Sequence, residues 1–151
     1  MTTTVDTVAD LAALVGQPLG HSSWFEVTQE RVNAFADATE DHQWIHVDPE
    51  RAAQGPFGGT IAHGYLTLAL MIPMWSEVLT VRQRRMGINY GLNRVRFPSP
   101  VRVGQKIRLS ATLAAVEDVP GGVQATVDCV VEADGSDKPA CVAQAVFRIL
   151  S

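Results

Sequence analysis

The sequence predicts an α+β fold in which a curved antiparallel sheet wraps around one long apolar helix. The first observation is the run from Gly64 to Leu79, which is apolar on nearly every side, as a buried helix is. The second is period-two alternation in three later segments, Ile107–Ala115, Val123–Val131 and Cys141–Ile149. The third is the presence of glycine turns between these segments, at 120–122 and 135–137, which favours antiparallel hairpins.

Shorter elements precede the long helix. Val8 to Val15 has apolar residues at helical spacing and is followed by Gly16, so a short helix is predicted there. A strand is predicted around Trp24 to Val27. Thr28 is expected to cap a second helix, in which one face carries Val32, Phe35, Ala36 and Thr39.

The stretch between the second helix and the long helix is irregular. Glu40 to Val47 loses the helical period, and Asp48-Pro49 restarts a helical turn. Gln54 to Thr60 is a glycine-rich loop that requires positive backbone dihedrals or a close approach to another group. Pro73 is expected to kink or interrupt the long helix. After that helix, two strand segments are predicted, Met86–Leu92 and Arg94–Phe97.

Composition and charge restrict the class of protein. The chain has 151 residues, of which 46% are hydrophobic and 19% charged, enough for a core without disulfide or metal support. No linker or repeat interrupts it, so residues 1–151 are predicted to form a single domain. A net charge of -4 argues against a nucleic-acid partner.

The sequence also predicts a cytoplasmic protein without a membrane partner. The first residues lack the basic and apolar regions of a signal peptide. The longest apolar stretch, Tyr65 to Trp75, is too short to cross a bilayer. Cys129 and Cys141 lack metal-site spacing and are expected to be reduced, buried residues.

The densest polar cluster runs from Asp41 to Asp48 and includes Gln43 and His46. A carboxylate and an imidazole five positions apart converge if this segment curls, and both then hydrogen-bond one water molecule. Two simpler interpretations stay open: Asp41 ends a helix, and His46 is a buried histidine with satisfied hydrogen bonds. A zinc site using His42 and His46 is disfavoured, because Pro49 and the lost periodicity work against the helical spacing it needs.

A second cluster, Ile61 to Tyr65, lies where the glycine-rich loop meets the long helix. The first amides of a helix have no internal partner and carry the positive end of the helix dipole. A ligand carbonyl can approach the amide of Gly64 closely, so this position suits an oxyanion hole. A plain helix start remains the alternative, with His63 as a packing or supporting residue.

The third stretch, Asn89 to Pro98, contains Asn93, Arg94 and Arg96. The two arginines fall on one side of a strand and suit a phosphate-bearing ligand. Solvent-exposed strand charges are the alternative interpretation.

These three stretches, in this order, resemble the MaoC-like dehydratase family, the R-specific enoyl-CoA hydratases. The resemblance runs from about Trp24 to Phe147. The family motif Gly-Asp-x-Asn-Pro-x-His is matched by residues 40–46, with Glu40, Gln43 and Trp44 in place of Gly, Asn and Pro. Asp-His-Gln-Trp-Ile-His is typical of a subgroup linked to hydratase activity. The runs 62–64 and 95–104 also match the family.

The resemblance implies a hot-dog fold, paired as a homodimer, that binds acyl-CoA near the dimer interface. It implies that Asp41 and His46 activate a water molecule for addition to C3 of a trans-2-enoyl-CoA, giving the (R)-3-hydroxyacyl-CoA. The amide of Gly64 would bind the thioester oxygen, and contacts to substrate are expected from Gln43, His63, Asn93, Arg94 and Arg96. Neither a cofactor nor a metal is expected. Two competing hypotheses are a hot-dog acyl-CoA thioesterase and a non-catalytic acyl-CoA-binding protein.

Overall fold

A six-stranded antiparallel sheet forms the framework of the molecule. The computed structural model describes residues 2–151. Neighbouring strands of the sheet follow in the order β2 (Pro18–His21), β6 (Lys106–Val119), β7 (Gly122–Ala133), β8 (Cys141–Leu150) and β5 (Met86–Arg96). The short strand β3 (Phe25–Glu26) also pairs with β6. A separate parallel pair consists of β1 (Thr3–Val5) and β4 (Leu79–Val81).

The helices lie mostly in the first half of the chain. They are a 3₁₀ helix (Val8–Leu14), α1 (Gln29–Thr39), α2 (Trp44–Val47), α3 (Pro49–Ala53) and α4 (Gly64–Val78). α4 packs across the sheet and contacts β2, β6 and β8. None of the helices within residues 2–151 combines the length and apolarity needed to cross a bilayer.

The three long strands confirm the period-two prediction. On β6, Ile107, Leu109, Ala111 and Leu113 are buried, while the alternate residues Arg108, Ser110 and Thr112 are partly exposed. The two predicted turns are also present, with Gly121 and Gly135 at φ values of 87° and 73° that favour glycine. An α+β layout with an antiparallel sheet packed on one long helix is therefore confirmed.

The prediction that α4 is buried all round is wrong on one side. Tyr65 is 72% exposed, and Ala69 and Pro73 follow it on the same exposed side of the helix. The sheet covers α4 from one direction, which leaves the opposite side uncovered. Pro73 does not end the helix. Pro73 has no amide hydrogen to donate to the carbonyl of Ala69. Ala69 is on the exposed side of the helix, where water can donate to that carbonyl instead.

Several boundaries differ from the predictions. Residues 86–96 form the single strand β5, in which irregular register after Asn89 and after Leu92 takes the place of the expected break. The first helix is a 3₁₀ helix and ends at Leu14. Strands β1, β2 and β4 were not predicted, because three or four residues are too few to establish an alternation.

The two helix caps predicted from single residues, Thr28 and Asp48, are both present. The hydroxyl of Thr28 accepts a hydrogen bond from the amide of Arg31 at the start of α1. The carboxylate of Asp48 accepts one from the amide of Arg51 at the start of α3. Both cysteines are free and buried, and burial raises the pKa of Cys129 to about 12.

Candidate active site

Asp41 follows α1 directly after a residue with left-handed backbone conformation. Glu40 ends the helix at φ 62° and ψ 21°, a region that glycine adopts more easily than any other residue. This is the position at which the family motif has glycine, so the structure explains the preference. The turn at Glu40 brings Asp41 to the wall of a cavity.

His46 lies on the single-turn helix α2, and only 6% of it is exposed. Its Nδ1 is 2.7 Å from the carbonyl oxygen of Ile61. Because a carbonyl can only accept, Nδ1 carries the hydrogen and Nε2 keeps a free lone pair. Burial is the main cause that lowers the pKa of His46, so the neutral ring is favoured near neutral pH.

His63 links Asp41 and His46. Its ring is stacked on that of His46, with centroids 3.8 Å apart and planes 22° apart. Its Nε2 donates to the main-chain carbonyl of Asp41 at 3.0 Å. Nδ1 is buried and has no hydrogen-bond partner among the described residues. His63 lines the cavity, but only 3% of it is exposed, so most of its ring packs against the residues that surround the site.

Gly64 is the first residue of α4, and its amide hydrogen is available to a ligand. The carbonyl of His63 accepts from the amides of Leu66 and Thr67, while the amide of Gly64 finds no acceptor within residues 2–151. A Cβ atom at Gly64 would lie 3.1 Å from the ring of Phe97. A side chain at this position would therefore require the ring of Phe97 or the helix start to shift, and Gly64 itself lines the cavity.

One open cavity of about 560 Å³ is lined by all four residues described above, which are Asp41, His46, His63 and Gly64. Its lining consists of Phe35, Thr39, Asp41, His46, His63, Gly64, Tyr65 and Phe97. A second cavity, of about 340 Å³ and lined largely by apolar residues, also reaches His46, Gly64 and Phe97. Both cavities reach Gly64, so a ligand bound there has room for a polar centre and for an apolar part.

Side-chain ligand atoms of Asp41, His46 and His63 lie within 4.8 Å of one another. A metal ion coordinates imidazole nitrogen in the plane of the ring, at about 2.0–2.1 Å. The stacked rings of His46 and His63 direct their lone pairs along nearly parallel planes, so both cannot bind one ion without rotating. The geometry favours a site for acid–base chemistry over a shared metal ion.

Four sequence-predicted residues lie outside the lining of the main cavity: Gln43, Asn93, Arg94 and Arg96. Gln43 precedes α2 and is exposed. Asn93 donates to the side chain of Gln144 at 2.8 Å. Arg94 and Arg96 are exposed on β5, opposite Gln144 and Val142 of β8.

Several residues at the site were not identified from the sequence. Phe35 and Phe97 line the cavity, and the carbonyl of Ile61 orients His46. Phe97 lies in a stretch that matched the family, but nothing in that stretch indicated its contact with Gly64. Trp44 does not line the cavity, since its ring packs under the guanidinium of Arg51 and against Gly55.

Comparison with protein families matches residues 10–134 to the MaoC like domain. The chain is 57% identical to 3-hydroxyacyl-thioester dehydratase Z of Mycobacterium tuberculosis over 149 residues, which are 98% of this chain and 99% of that protein. It is 46% identical to nodulation protein N of Rhizobium leguminosarum bv. viciae over 139 residues, which are 90% of this chain and 86% of that protein.

Solved structures with the same fold include two R-hydratases. The unliganded R-hydratase PhaJ1 from Pseudomonas aeruginosa has a TM-score of 0.77 at 23% identity, covering 96% of this chain and 86% of that chain. The (R)-hydratase from A. caviae has a TM-score of 0.71 at 26% identity, covering 88% of this chain and 94% of that chain. On the family match and the near full-length identity, this chain belongs to the MaoC-like family and is a dehydratase with the hot-dog fold.

Proposed function

We propose that this dehydratase catalyses the reversible, (R)-specific addition of water to trans-2-enoyl-CoA, giving (R)-3-hydroxyacyl-CoA. The observation that carries the proposal is the free Nε2 of His46, which shares a cavity with the carboxylate of Asp41 and the free amide of Gly64. An acid–base pair and an oxyanion donor are the two components that hydration of a conjugated thioester needs.

In the proposed reaction, one water molecule lies between Asp41 and His46. A ring nitrogen of His46 and a carboxylate oxygen of Asp41 are within 4.8 Å, a gap that one water molecule bridges with two ordinary hydrogen bonds. The oxygen of this water attacks C3 of the enoyl group and loses a proton to the pair. The pair then delivers a proton to C2, so H and OH of one water molecule are added across the double bond and the pair returns to its starting state.

The amide of Gly64 is proposed to bind the thioester oxygen. Negative charge develops on that oxygen during addition, and the hydrogen bond strengthens as it does. A donor of this kind typically stabilises the transition state by about 3–4 kcal/mol. The position at the first turn of α4 adds the positive end of the helix dipole.

Neither a metal nor a cofactor is part of the proposal, because the two side chains supply both proton transfers. The base and the acid of this pair exchange roles between hydration and dehydration. The cytoplasm is the proposed compartment, since both thiols are free and disulfides are rare there.

The substrate class is supported by the relatives. The 57% identical relative is named a 3-hydroxyacyl-thioester dehydratase, and the 26% identical structure is an (R)-hydratase. Arg94 and Arg96, with Asn93 beside them, are proposed to contact the phosphates of CoA, which extend beyond the acyl cavity. Contacts from Gln43 and His63 to the substrate stay predictions.

A homodimer formed through β5 is part of the same proposal. β5 is an edge strand of 11 residues, and all but one of them are exposed. Exposed apolar side chains on it are Met86, Ile88, Tyr90 and Leu92. An edge this long and apolar requires a cover, and a second copy of the strand supplies matching hydrogen bonds. Relatives of this fold have been solved as complexes, among them ChsH1-ChsH2 and HadBC from Mycobacterium tuberculosis.

The experiment that tests the function is an assay with short and medium-chain trans-2-enoyl-CoA. Enzyme-dependent loss of the conjugated enoyl absorbance, with the R enantiomer as product, is the expected result. Release of free CoA without hydration would instead identify a thioesterase. Binding of acyl-CoA without either change would identify a binding protein.

A further inference from the structure

Gln29, the first residue of α1, has a side-chain amide in which both the nitrogen and the oxygen are engaged. Its Nε2 donates to the main-chain carbonyl of His46 at 2.8 Å and to Oδ1 of Asn33 at 2.9 Å. Its Oε1 accepts from the hydroxyl of the buried Thr60 at 2.6 Å. Because the carbonyl of His46 can only accept, the amide nitrogen must face it, and the orientation of the amide is determined.

The amide of Gln29 is not needed to cap its own helix. The start of α1 is already capped by Thr28, whose hydroxyl accepts from the amide of Arg31. Two of the three bonds of Gln29 reach residues that are 17 and 31 positions away in the chain. The side chain therefore joins α1 to α2 and to the segment that precedes α4.

The segment around His46 depends on such external contacts. α2 has only four residues, too few for a stable helix in isolation. Its ties to the neighbouring segment are the bond from the ring of His46 to Ile61 and the bond from the amide of Ile61 to Ile45. Gln29 adds the bond that satisfies the carbonyl of His46 itself.

α1 also sets the position of Asp41, which lies two positions after Thr39, the last residue of the helix. The relative position of Asp41 and His46 thus depends on how α1 is joined to α2. Building on the function proposed above, we infer that Gln29 is a positioning residue that holds His46 in register with Asp41. It does so without touching the substrate, since it does not line the cavity.

The test uses the full-length protein with the substitution Gln29→Leu, which removes both ties and keeps a similar volume. We expect kcat to fall about 10- to 100-fold with little change in KM, because misplacing a catalytic group by about 1 Å can cost about 100-fold. The ring ¹⁵N signals of His46, identified by their loss in His46→Gln, should shift and broaden. A role confined to packing would leave those signals in place.

Two further variants separate positioning from general stability. Asn33→Ala removes only the bond within α1, so wild-type kcat and unmoved His46 signals are expected. Gln29→Glu keeps the length and the acceptor for Thr60 but places a carboxylate oxygen against the carbonyl of His46. It should lose as much kcat as Gln29→Leu, and it replaces that variant if Gln29→Leu does not fold.

The outcomes distinguish this inference from the proposed function. An active wild type together with a folded Gln29→Leu or Gln29→Glu protein of wild-type kcat would overturn the role of Gln29. An inactive wild type would overturn the hydratase. In that case the His46 signals alone decide: unchanged signals in Gln29→Leu would overturn the inference, and shifted signals would support it.

Discussion

The imidazole rings of His46 and His63 are stacked at 3.8 Å, and His63 also donates a hydrogen bond to the carbonyl of Asp41. One side chain thus contacts both members of the proposed acid–base pair. Burial is the largest cause that lowers the pKa of His46, and the nearby charge of His63 adds to it. The hydrogen bond to Ile61 and the charge of Asp41 oppose this shift.

The lowered pKa of His46 predicts a pH dependence of stability. The pKa of His46 in the unfolded chain is 6.5, and it is lower in the folded protein. Below pH 6.5 the unfolded chain therefore binds a proton at this position more readily than the folded protein does. The contribution of the neutral ring to the free energy of unfolding is therefore complete above 6.5 and is lost as the pH falls toward the folded pKa. Urea denaturation at several pH values across this range should show a rise in the free energy of unfolding with pH that is steeper in the wild type than in His46→Gln. Equal slopes in the two proteins would contradict the prediction.

His63→Phe tests the contribution of His63 to that shift. Phenylalanine keeps a ring for the stack but removes the charge and the hydrogen bond to Asp41. The pKa of His46 should rise from its lowered value, because one of its lowering causes is gone. NMR titration of the His46 ring measures this directly, and an unchanged or lower pKa would show that His63 does not act through its charge.

Asp41→Asn and His46→Gln should each lower kcat by about 10²–10⁴-fold, the usual contribution of a positioned acid or base. Both substitutions keep the approximate side-chain size, so the proteins should fold as the wild type does. The matched control is His42→Gln, because His42 is exposed, pairs with Asp37 and does not line the cavity. Retained turnover in both active-site variants would remove the proposed pair from the reaction.

Gly64→Ala should lower kcat by about 10- to 100-fold. The added methyl group would lie 3.1 Å from the ring of Phe97, so the ring or the helix start must move, and the amide moves with it. Complete loss of an oxyanion donor costs about 10²–10³-fold. Gly59→Ala is the control, since its methyl group would meet only the flexible end of Arg102 at 3.6 Å. Equal activity of the two variants would argue against the oxyanion role.

Glu40→Gly is expected to stabilise the protein. Glu40 has φ 62°, where a side chain costs about 1 kcal/mol relative to glycine. A gain of about 1 kcal/mol corresponds to a rise in Tm of roughly 2–4 °C for a chain of this size. Ala38→Gly, two positions earlier and inside α1, should lower Tm instead. Calorimetry checks both signs, and a lower Tm for Glu40→Gly would contradict the argument.

Ile88→Lys should weaken the proposed homodimer. Ile88 is on β5 and 40% exposed, so a lysine there would place a charge in the interface between two β5 strands. Val130→Lys on β7 is the matched control, because Val130 is 41% exposed and lies away from the sheet edge. Light scattering over a dilution series should show that Ile88→Lys dissociates to monomers, while Val130→Lys and the wild type stay dimeric. A monomeric wild type would refute the dimer.

The elements that could be predicted were those with a strong local signal. α4, the strands β6 to β8 and the cap at Thr28 follow from periodicity or from a single residue type, and the structure has all of them. The exposed side of α4 and the edge strands β1 and β2 could not be predicted. Whether an apolar surface is covered depends on elements that are distant in the chain.

At the site, the sequence alone determined which groups are available: a carboxylate and an imidazole five positions apart, and a glycine at the start of the long helix. Only the tertiary structure decided how they are held. The stack of His63 on His46, the cover of Phe97 over Gly64 and the bond from Gln29 to His46 all join residues from separate elements. Such contacts depend on which elements from distant parts of the chain pack together. Periodicity shows that a residue is buried, but it does not show which residue of another element it contacts.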